Sequence, residues 1–544
     1  MNGAQAIVKC LEEEKVKVVY GYSGVAIAPF YDALGEVNIK QVLVRTEQNA
    51  AHCASGYARI SRNVGVCAVT SGPGATNLIT GIATAYADSI PLVCITGQVN
   101  SELIGSDVFQ EADITGAAES FVKYSYLIRD VNDIPRVFKE AFHIANTGRR
   151  GPVLIDIPMD IQMAEISRFS YPEKVNMRTY KPTVEGNAVQ IKKVVKEVAQ
   201  AKRPIICVGG GVHLSGAVDE IRKFSKENQI PVVSTMMGIG VMSSLDPMYF
   251  GMVGNNGRPY ANRALNESDL LLMVGARVAD RAVNRPDLIT ENKVLIHIDV
   301  DPAEIGKNVG PTIPLVGDIK HIFRKINEFE DKEDLIHKRQ EWIDTLNEYR
   351  LTMVEKRPEI DTSKFVDPMA FLNKLSIRLP EDAIYVADVG QNQIWSCRWH
   401  LVKKGRFLTS GGMGTMGYSI PAAFGAKEAA PDRTVVAVMG EGGFQMSMME
   451  LSTLKQYGNN VKIIIFRNNF LGMVREYQHY KLDDRYNMVV LDESPKLDKI
   501  AEAYDMNYMK ANNQKESEAL IEAILKDDAP VIAEIVVDPY DLAK

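Results

Sequence analysis

Short runs of apolar and β-branched residues recur along this chain, each followed by a glycine-containing turn and then by a stretch of helical character. That alternation limits the fold more than any other feature, because neighbouring parallel strands must be joined by long crossovers that are usually helical. It predicts an α/β protein with doubly wound parallel sheets covered by helices. The runs fall into three groups: 16–20, 41–44, 64–70, 91–96 and 152–157; then 204–208, 231–234, 270–274 and 294–298; then 383–387, 434–438, 461–466 and 530–537. Between the groups, 169–187 has no apolar period and reads as a linker. The stretch 328–364 is dense in alternating charge with few apolar residues, which predicts exposed helix and linker. A chain of 544 residues has room for several cores. Three units are expected here, at 1–168, 188–327 and 365–544.

The outer two units echo each other. Ser71-Gly72-Pro73-Gly74-Ala75-Thr76 opens a helix in the first, and Ser410-Gly411-Gly412-Met413-Gly414-Thr415 resembles it in the third. This predicts a duplicated unit flanking a different one.

Composition excludes several functions. At 46 % hydrophobic and 24 % charged residues the chain is ordinary globular material, neither disordered nor a low-complexity fibre. A net charge of -7 leaves no basic stripe for phosphate backbones, so no nucleic-acid partner is expected. Lys9 and the charges at 12–15 interrupt the start of the chain where a secretory signal would need an apolar core, and no run is fit to span a membrane. The expected location is cytoplasmic, with no membrane partner. Six cysteines without a C-x-x-C pair sit mostly in apolar runs and read as reduced packing residues. The histidines lack zinc-site spacing.

The strongest chemical signal is Gly440-Glu441-Gly442-Gly443 after an apolar strand, with Asn468-Asn469 ending the next one. Glycines at a strand end let backbone N–H groups approach a diphosphate, and a carboxylate and an amide oxygen are hard ligands suited to Mg²⁺. Consecutive strand ends would bring Glu441 and Asn468 to one spot on the carboxyl edge of the sheet. Alone, the same residues also fit an ordinary βα turn and an unrelated Asn turn. Glu47 follows the run 41–44 and precedes a helix rich in small residues. A lone Glu there equally suits the helix dipole. Loops at 21–24, 71–74, 97–98 and 109–111 would join it around one edge and outline a pocket. In the middle unit Gly209-Gly210-Gly211 follows a strand, which suits a flavin or nicotinamide dinucleotide or simple helix packing.

With these residues in view the chain resembles the thiamine-diphosphate-dependent enzymes, and among them the catalytic subunits of acetohydroxyacid synthase, also called acetolactate synthase. The resemblance runs from about residue 1 to 539. It includes Arg45-Thr46-Glu47-Gln48, Ala75-Thr76-Asn77-Leu78, the segment 104–111, Asp301-Pro302-Ala303-Glu304-Ile305-Gly306-Lys307 and Leu471-Gly472-Met473-Val474. It implies a pyrimidine-binding, a central FAD-binding and a diphosphate-binding domain. It also implies thiamine diphosphate, Mg²⁺ and FAD as cofactors.

Residue roles follow from the resemblance. Glu47 would activate the aminopyrimidine ring, whose nitrogen removes the thiazolium C2 proton. Gln110 would stand beside the reacting carbon, with Phe109 and Val25 near it. Met416 would prop the cofactor into a bent shape. Gly390, Gln391, Gly442 and Gly443 would hold the diphosphate, and Asn392, Gly414, Gly440, Gly472, Met473 and Val474 occupy neighbouring cofactor positions. Glu441, Asn468 and the backbone oxygen of Phe470 would bind Mg²⁺. Arg149, Gly209, Gly210, Gly211, Thr235, Gly254, Gly275, Arg277, Arg281, Asp299 and Asp318 match flavin-binding positions. The implied reaction decarboxylates pyruvate and ligates the hydroxyethyl carbanion to a second 2-keto acid, pyruvate or 2-ketobutyrate, in branched-chain amino-acid biosynthesis. The implied partners are a second or further copies of the chain, as homodimer or homotetramer, and a small regulatory subunit.

The chain also departs from the pattern. Glu441 replaces the usual aspartate, Asn392 a frequent histidine, Val25 a frequent glycine and Met159 a lysine, while Tyr477 stands where many members have tryptophan. Another decarboxylase or carboligase of the same cofactor class, a flavin oxidase and an idle cofactor-binding paralogue remain alternatives at this point.

Overall fold

A computed structural model describes residues 1–283, 289–310, 312–328, 335–355 and 359–543. Three six-stranded sheets, all parallel, follow one another along the chain. The first holds β1 (Val18–Tyr22), β2 (Lys40–Leu43), β3 (Gly65–Val69), β4 (Leu92–Gln98), β5 (Tyr124–Leu127) and β6 (Pro152–Pro158) in the order β2-β1-β3-β4-β6-β5. The second holds β7 (Pro204–Val208), β8 (Val232–Ser234), β9 (Tyr249–Met252), β10 (Leu270–Val274), β11 (Val294–Asp299) and β12 (Ile313–Val316), ordered β12-β11-β10-β7-β8-β9. The third holds β13 (Ile384–Ala387), β14 (Arg406–Thr409), β15 (Val435–Gly440), β16 (Val461–Arg467), β17 (Asn507–Ala511) and β18 (Val531–Val536), ordered β14-β13-β15-β16-β18-β17. Central strands such as β3, β4, β6, β7 and β10 are buried along their whole length, as expected of strands covered by helices on both faces.

The duplication is real, but it does not rest on the sequence echo. Counted from the start of each unit, the first and third sheets have the same strand order, and the middle sheet has a different one. The Ser71 loop follows the third strand of its unit, whereas the Ser410 loop follows the second strand of its own and opens no helix directly, since the next helix begins at Ser419. The two loops are therefore not counterparts. The true counterpart of the Ser71 loop is the turn at Gly440–Gly443 after β15.

The equivalent helices Glu47–Ser61 and Ser419–Ala429, each following the second strand of its unit, pack against each other. A Cβ on Gly56 would lie 2.0 Å from the Ala422 carbonyl oxygen, and one on Gly425 would lie 1.8 Å from that of Cys53. Only glycine permits so close an approach from both sides. One hydrophobic core consequently runs through both outer units and includes Val18, Leu78, Tyr418, Phe424 and Ile463.

The charge-dense stretch after the middle unit departs from expectation. Helix Leu335–Thr352 buries Trp342 and Leu346 against the middle sheet, and the Trp342 indole N–H donates to the Pro204 carbonyl at 3.1 Å. Buried Arg339 donates to the carbonyls of Ala201, Asn228 and Val198 at the ends of neighbouring elements. Trp342, Ile343 and Leu346 are few but share the packed side, while Leu351 is exposed, so sparse hydrophobicity hid a packed helix. Residues 329–334 and 356–358 of that stretch lie outside the described residues. All six cysteines are buried and free, and among the described residues no helix is long and apolar enough to cross a membrane.

Candidate active site

β15 and β16 are neighbours in register from Val435 opposite Val461 to Gly440 opposite Phe466. Their carboxyl ends therefore bring the two candidate metal ligands together. Glu441 is the first residue of helix Glu441–Ser447, 2 % exposed, and its Oε1 accepts the backbone N–H of Asn468 at 3.3 Å and that of Asn469. Burial raises its pKa to about 7, against the opposing pull of those backbone donors. Asn468 Oδ1 accepts the Phe470 N–H at 3.0 Å, while its Nδ2 donates to Gln391 Oε1 at 3.1 Å. Gln391 continues the network, donating to Glu476 Oε2 and to the Asp541 carbonyl, each at 3.0 Å.

Glycines make room around this network. A Cβ on Gly472 would lie 2.0 Å from Gln391 Oε1, one on Gly443 2.9 Å from the Asp388 carboxylate, and one on Gly442 3.3 Å from the Met416 methyl. Gly390, at φ +139, precedes helix Gln391–Trp399, and Gly414, at φ +67, opens onto free space. Backbone N–H groups at such helix starts suit an anion, and the hard oxygens of Glu441 and Asn468 suit Mg²⁺. Asn392 is turned elsewhere: its Nδ2 donates to the carbonyls of Asp388 and Val438, tying two strand ends.

In the first unit Glu47 starts its helix and accepts from Asn77 Nδ2 at 3.1 Å, while a Cβ on Gly74 would lie 3.4 Å from Glu47 Oε1. Glu47 and the Ser71–Gly74 loop thus share one spot. Gln110 adopts φ +59 and lies against Gly72, whose Cβ would be 2.9 Å from that of Gln110. Its loop is closed by Glu111, which accepts from Gly105 and Val108 backbone N–H groups and is thereby held below the usual carboxylate range. Phe109 and Val25 are 86 % and 79 % exposed, so within one chain neither lines a pocket. Val25 opens the short helix Val25–Ile27, whose Ala26 and Ile27 are buried, so its side chain alone faces outward. The Glu47 helix reaches the third unit through Glu450, whose Oε1 accepts Arg45 N–H at 2.9 Å and Asn49 Nδ2 at 3.0 Å.

A cavity of about 640 Å³ lies where the three units meet. It opens at the strand-order reversal between β7 and β10, the place where doubly wound sheets bind dinucleotides. Arg149, Gly210, Gly211, Thr235, Gly275, Arg277, Arg281, Asp299 and Asp318 line it. Gly209 and Gly254 stand behind the wall instead, where a Cβ would strike the carbonyls of Gly275 and Arg281 at 2.2 and 2.0 Å. Gly414 and Met473 of the third unit also open onto this cavity. Arg149 is held by Glu304 at 2.8 Å and Asp301 at 3.2 Å, and burial raises the pKa of Asp299 to about 6. Asp318 also caps helix Ile319–Asn327 through the His321 N–H.

The N-terminal and C-terminal TPP binding domains of thiamine pyrophosphate enzymes match residues 1–117 and 388–535, and the central domain matches 191–326. A probable acetolactate synthase large subunit of Methanocaldococcus jannaschii is 44 % identical, the match covering 99 % of this chain and 93 % of that protein. The chain belongs to the acetolactate synthase large-subunit family. Acetolactate synthase large subunits of Haemophilus influenzae and Lactococcus lactis are 41 % and 39 % identical, over 99 % and 98 % of this chain and 95 % and 92 % of theirs.

Within this acetolactate synthase framework several polar residues escaped the sequence reading. Buried Asp388 accepts the N–H groups of Gly417 and Ser419 at 3.0 and 2.9 Å and faces Gly443. Asp156, buried in β6 two residues before its carboxyl end, accepts from Thr96 Oγ1 at 2.6 Å and Gln98 Nε2 at 3.0 Å. Gln98 Nε2 also donates to the Ala112 carbonyl at 2.8 Å and so anchors the Gln110 loop. Acids near the carboxyl ends of apolar strands were the available signal.

Proposed function

We propose that the chain is an acetolactate synthase that decarboxylates pyruvate and joins the remaining two-carbon unit to a second 2-keto acid, pyruvate or 2-ketobutyrate. The observation that carries this reading is the Glu441–Asn468–Gln391 network at the carboxyl edge of the third sheet, in a chain whose relatives bear that name over nearly their full length. When bound, thiamine diphosphate supplies the nucleophilic carbon and the electron sink that loss of CO₂ requires. Glu441, Asn468 and the Phe470 carbonyl would hold Mg²⁺, and Gly390, Gln391, Gly442 and Gly443 the diphosphate. Glu47, oriented by Asn77, would exchange a proton with a ring nitrogen, with Gln110 orienting the substrate carboxylate or carbonyl.

The middle cavity would take FAD, with Arg277 toward its phosphates and the glycine turns of β7 and β10 allowing backbone approach. A homodimer or homotetramer would complete the site, because Val25, Phe109, Val474 and Tyr477 are exposed on a single chain. A small regulatory subunit is the further partner, since the relatives are named large subunits. Pyruvate, thiamine diphosphate and Mg²⁺ should yield a product that acidification converts to acetoin, without oxygen uptake. Oxygen consumption would instead indicate a flavin oxidase.

A further inference from the structure

Asp88 ends the helix Pro73–Ala87, where the helix dipole disfavours a carboxylate. Its partners account for it. Oδ2 accepts Arg59 Nη2 at 2.6 Å and the Gly411 N–H at 3.1 Å, and Oδ1 accepts the Gly412 N–H at 2.7 Å. Arg59 also donates to the Thr409 carbonyl at 2.8 Å, and both side chains are buried. One turn back, the Thr84 hydroxyl donates to the Thr80 carbonyl and so accepts from the Thr415 hydroxyl, 2.7 Å away. A Cβ on Gly412 would lie 2.8 Å from the Ala87 carbonyl oxygen, and one on Gly411 would lie 2.3 Å from the Met237 sulfur of the middle unit. The loop 410–415 is therefore gripped by all three units.

That loop serves two sites. Ser410 to Gly414 form part of the wall of the middle cavity, as do Asp88 and Met237. Two residues later Met416 reaches Gly442 beside the diphosphate cradle. Glycines give the loop little stiffness of its own. The buried ion pair supplies it from outside: a carboxylate taking two successive backbone N–H groups fixes their direction, and removing it would leave Arg59 charged and unpaired.

We infer that Arg59 and Asp88 are positioning residues that link occupancy of the middle cavity to the seating of Met416 and the diphosphate cradle, so that the two cofactors bind with positive linkage. A ligand that immobilises 410–414 lowers the ordering cost met by a ligand packed on Met416. The linkage must be reciprocal. This rests on the proposed flavin and thiamine diphosphate sites.

The test is FAD titration of the full chain, followed by flavin fluorescence, with and without saturating thiamine diphosphate and Mg²⁺. FAD should bind roughly 5-fold or more tightly when the other cofactor is present, the lower end of usual coupling. Asp88→Asn offers one acceptor oxygen in place of two, so the coupling factor should fall toward one while FAD still binds. A purely structural role would weaken both affinities and leave their ratio unchanged. If Asp88→Asn does not fold, Thr415→Val, which removes only the hydroxyl contact, is judged by the same fall in ratio. FAD binding without linkage in the native chain, or full linkage kept in the folded variant, overturns the inference. No FAD binding at all refutes the flavin reading and this inference with it.

Discussion

The Glu441 carboxylate and the Asn468 backbone N–H are bonded at 3.3 Å, which ties together the ends of two neighbouring strands and brings the two residues proposed to bind Mg²⁺ to one place. One carboxylate oxygen is occupied by the backbone of Asn468 and Asn469. The longer glutamate makes that reach through Oε1 alone, which leaves Oε2 for the proposed Mg²⁺. Glu441→Ala should raise the half-saturating Mg²⁺ concentration at least tenfold and cost about 1–3 kcal/mol for each backbone donor left unpaired. Mg²⁺ titration of activity and denaturant unfolding read the two effects separately. Unchanged metal dependence would remove Glu441 from the ligand set.

The exposure of Val25 and Phe109 leads to a prediction about assembly. If a second chain completes the site, Glu47→Gln and Asn468→Ala chains, each inactive alone, should regain part of the native activity when exchanged into mixed dimers. Mixed dimers that form and stay inactive would contradict a shared site.

Arg277 lines the middle cavity with its side chain exposed, whereas Arg149 is already engaged by Asp301 and Glu304. Arg277→Ala should therefore weaken FAD binding by about 1.5–3 kcal/mol, the value of a charge-assisted hydrogen bond. Flavin fluorescence measures it. Full activity in protein that cannot bind FAD would show that the cavity does not serve catalysis.

How much of this could be read beforehand depended on burial. The strands missing from the sequence reading, β5, β9, β12, β14 and β17, are all sheet edges. An edge strand pairs on one side only, so Tyr124–Leu127 is exposed or half-buried throughout, Asn507–Ala511 is buried only at its last residue, and neither gives a continuous apolar run. Glu441 and Asn468 were legible because consecutive parallel strands bring their ends together. Arg59 with Asp88, and Asp388 with Gly417, were not, because each depends on how a helix or loop packs after the sheets have formed.

Asp156 gives a pH dependence. Burial raises its pKa from 3.8 to about 7, so the fold favours the protonated form. Its stabilising contribution is fully present below about pH 4 and is lost as pH rises through 7. Thr96 can rotate its hydroxyl to accept from the protonated acid. In Asp156→Asn this dependence should vanish. The stability of the native chain relative to the variant should fall between pH 5 and 8 by more than about 1.4 kcal/mol, the value of one pKa unit. Parallel pH profiles would show that Asp156 is ionised throughout.

The central claim is tested most directly by the carbon balance of pyruvate consumption with thiamine diphosphate and Mg²⁺ supplied. Ligation of two pyruvates releases one CO₂ and leaves one five-carbon hydroxy-keto acid, so the account predicts CO₂ equal to half the pyruvate consumed and acetolactate as the remaining carbon. One CO₂ for every pyruvate with acetaldehyde as product, or no consumption of pyruvate by folded chain with bound cofactor, would contradict it.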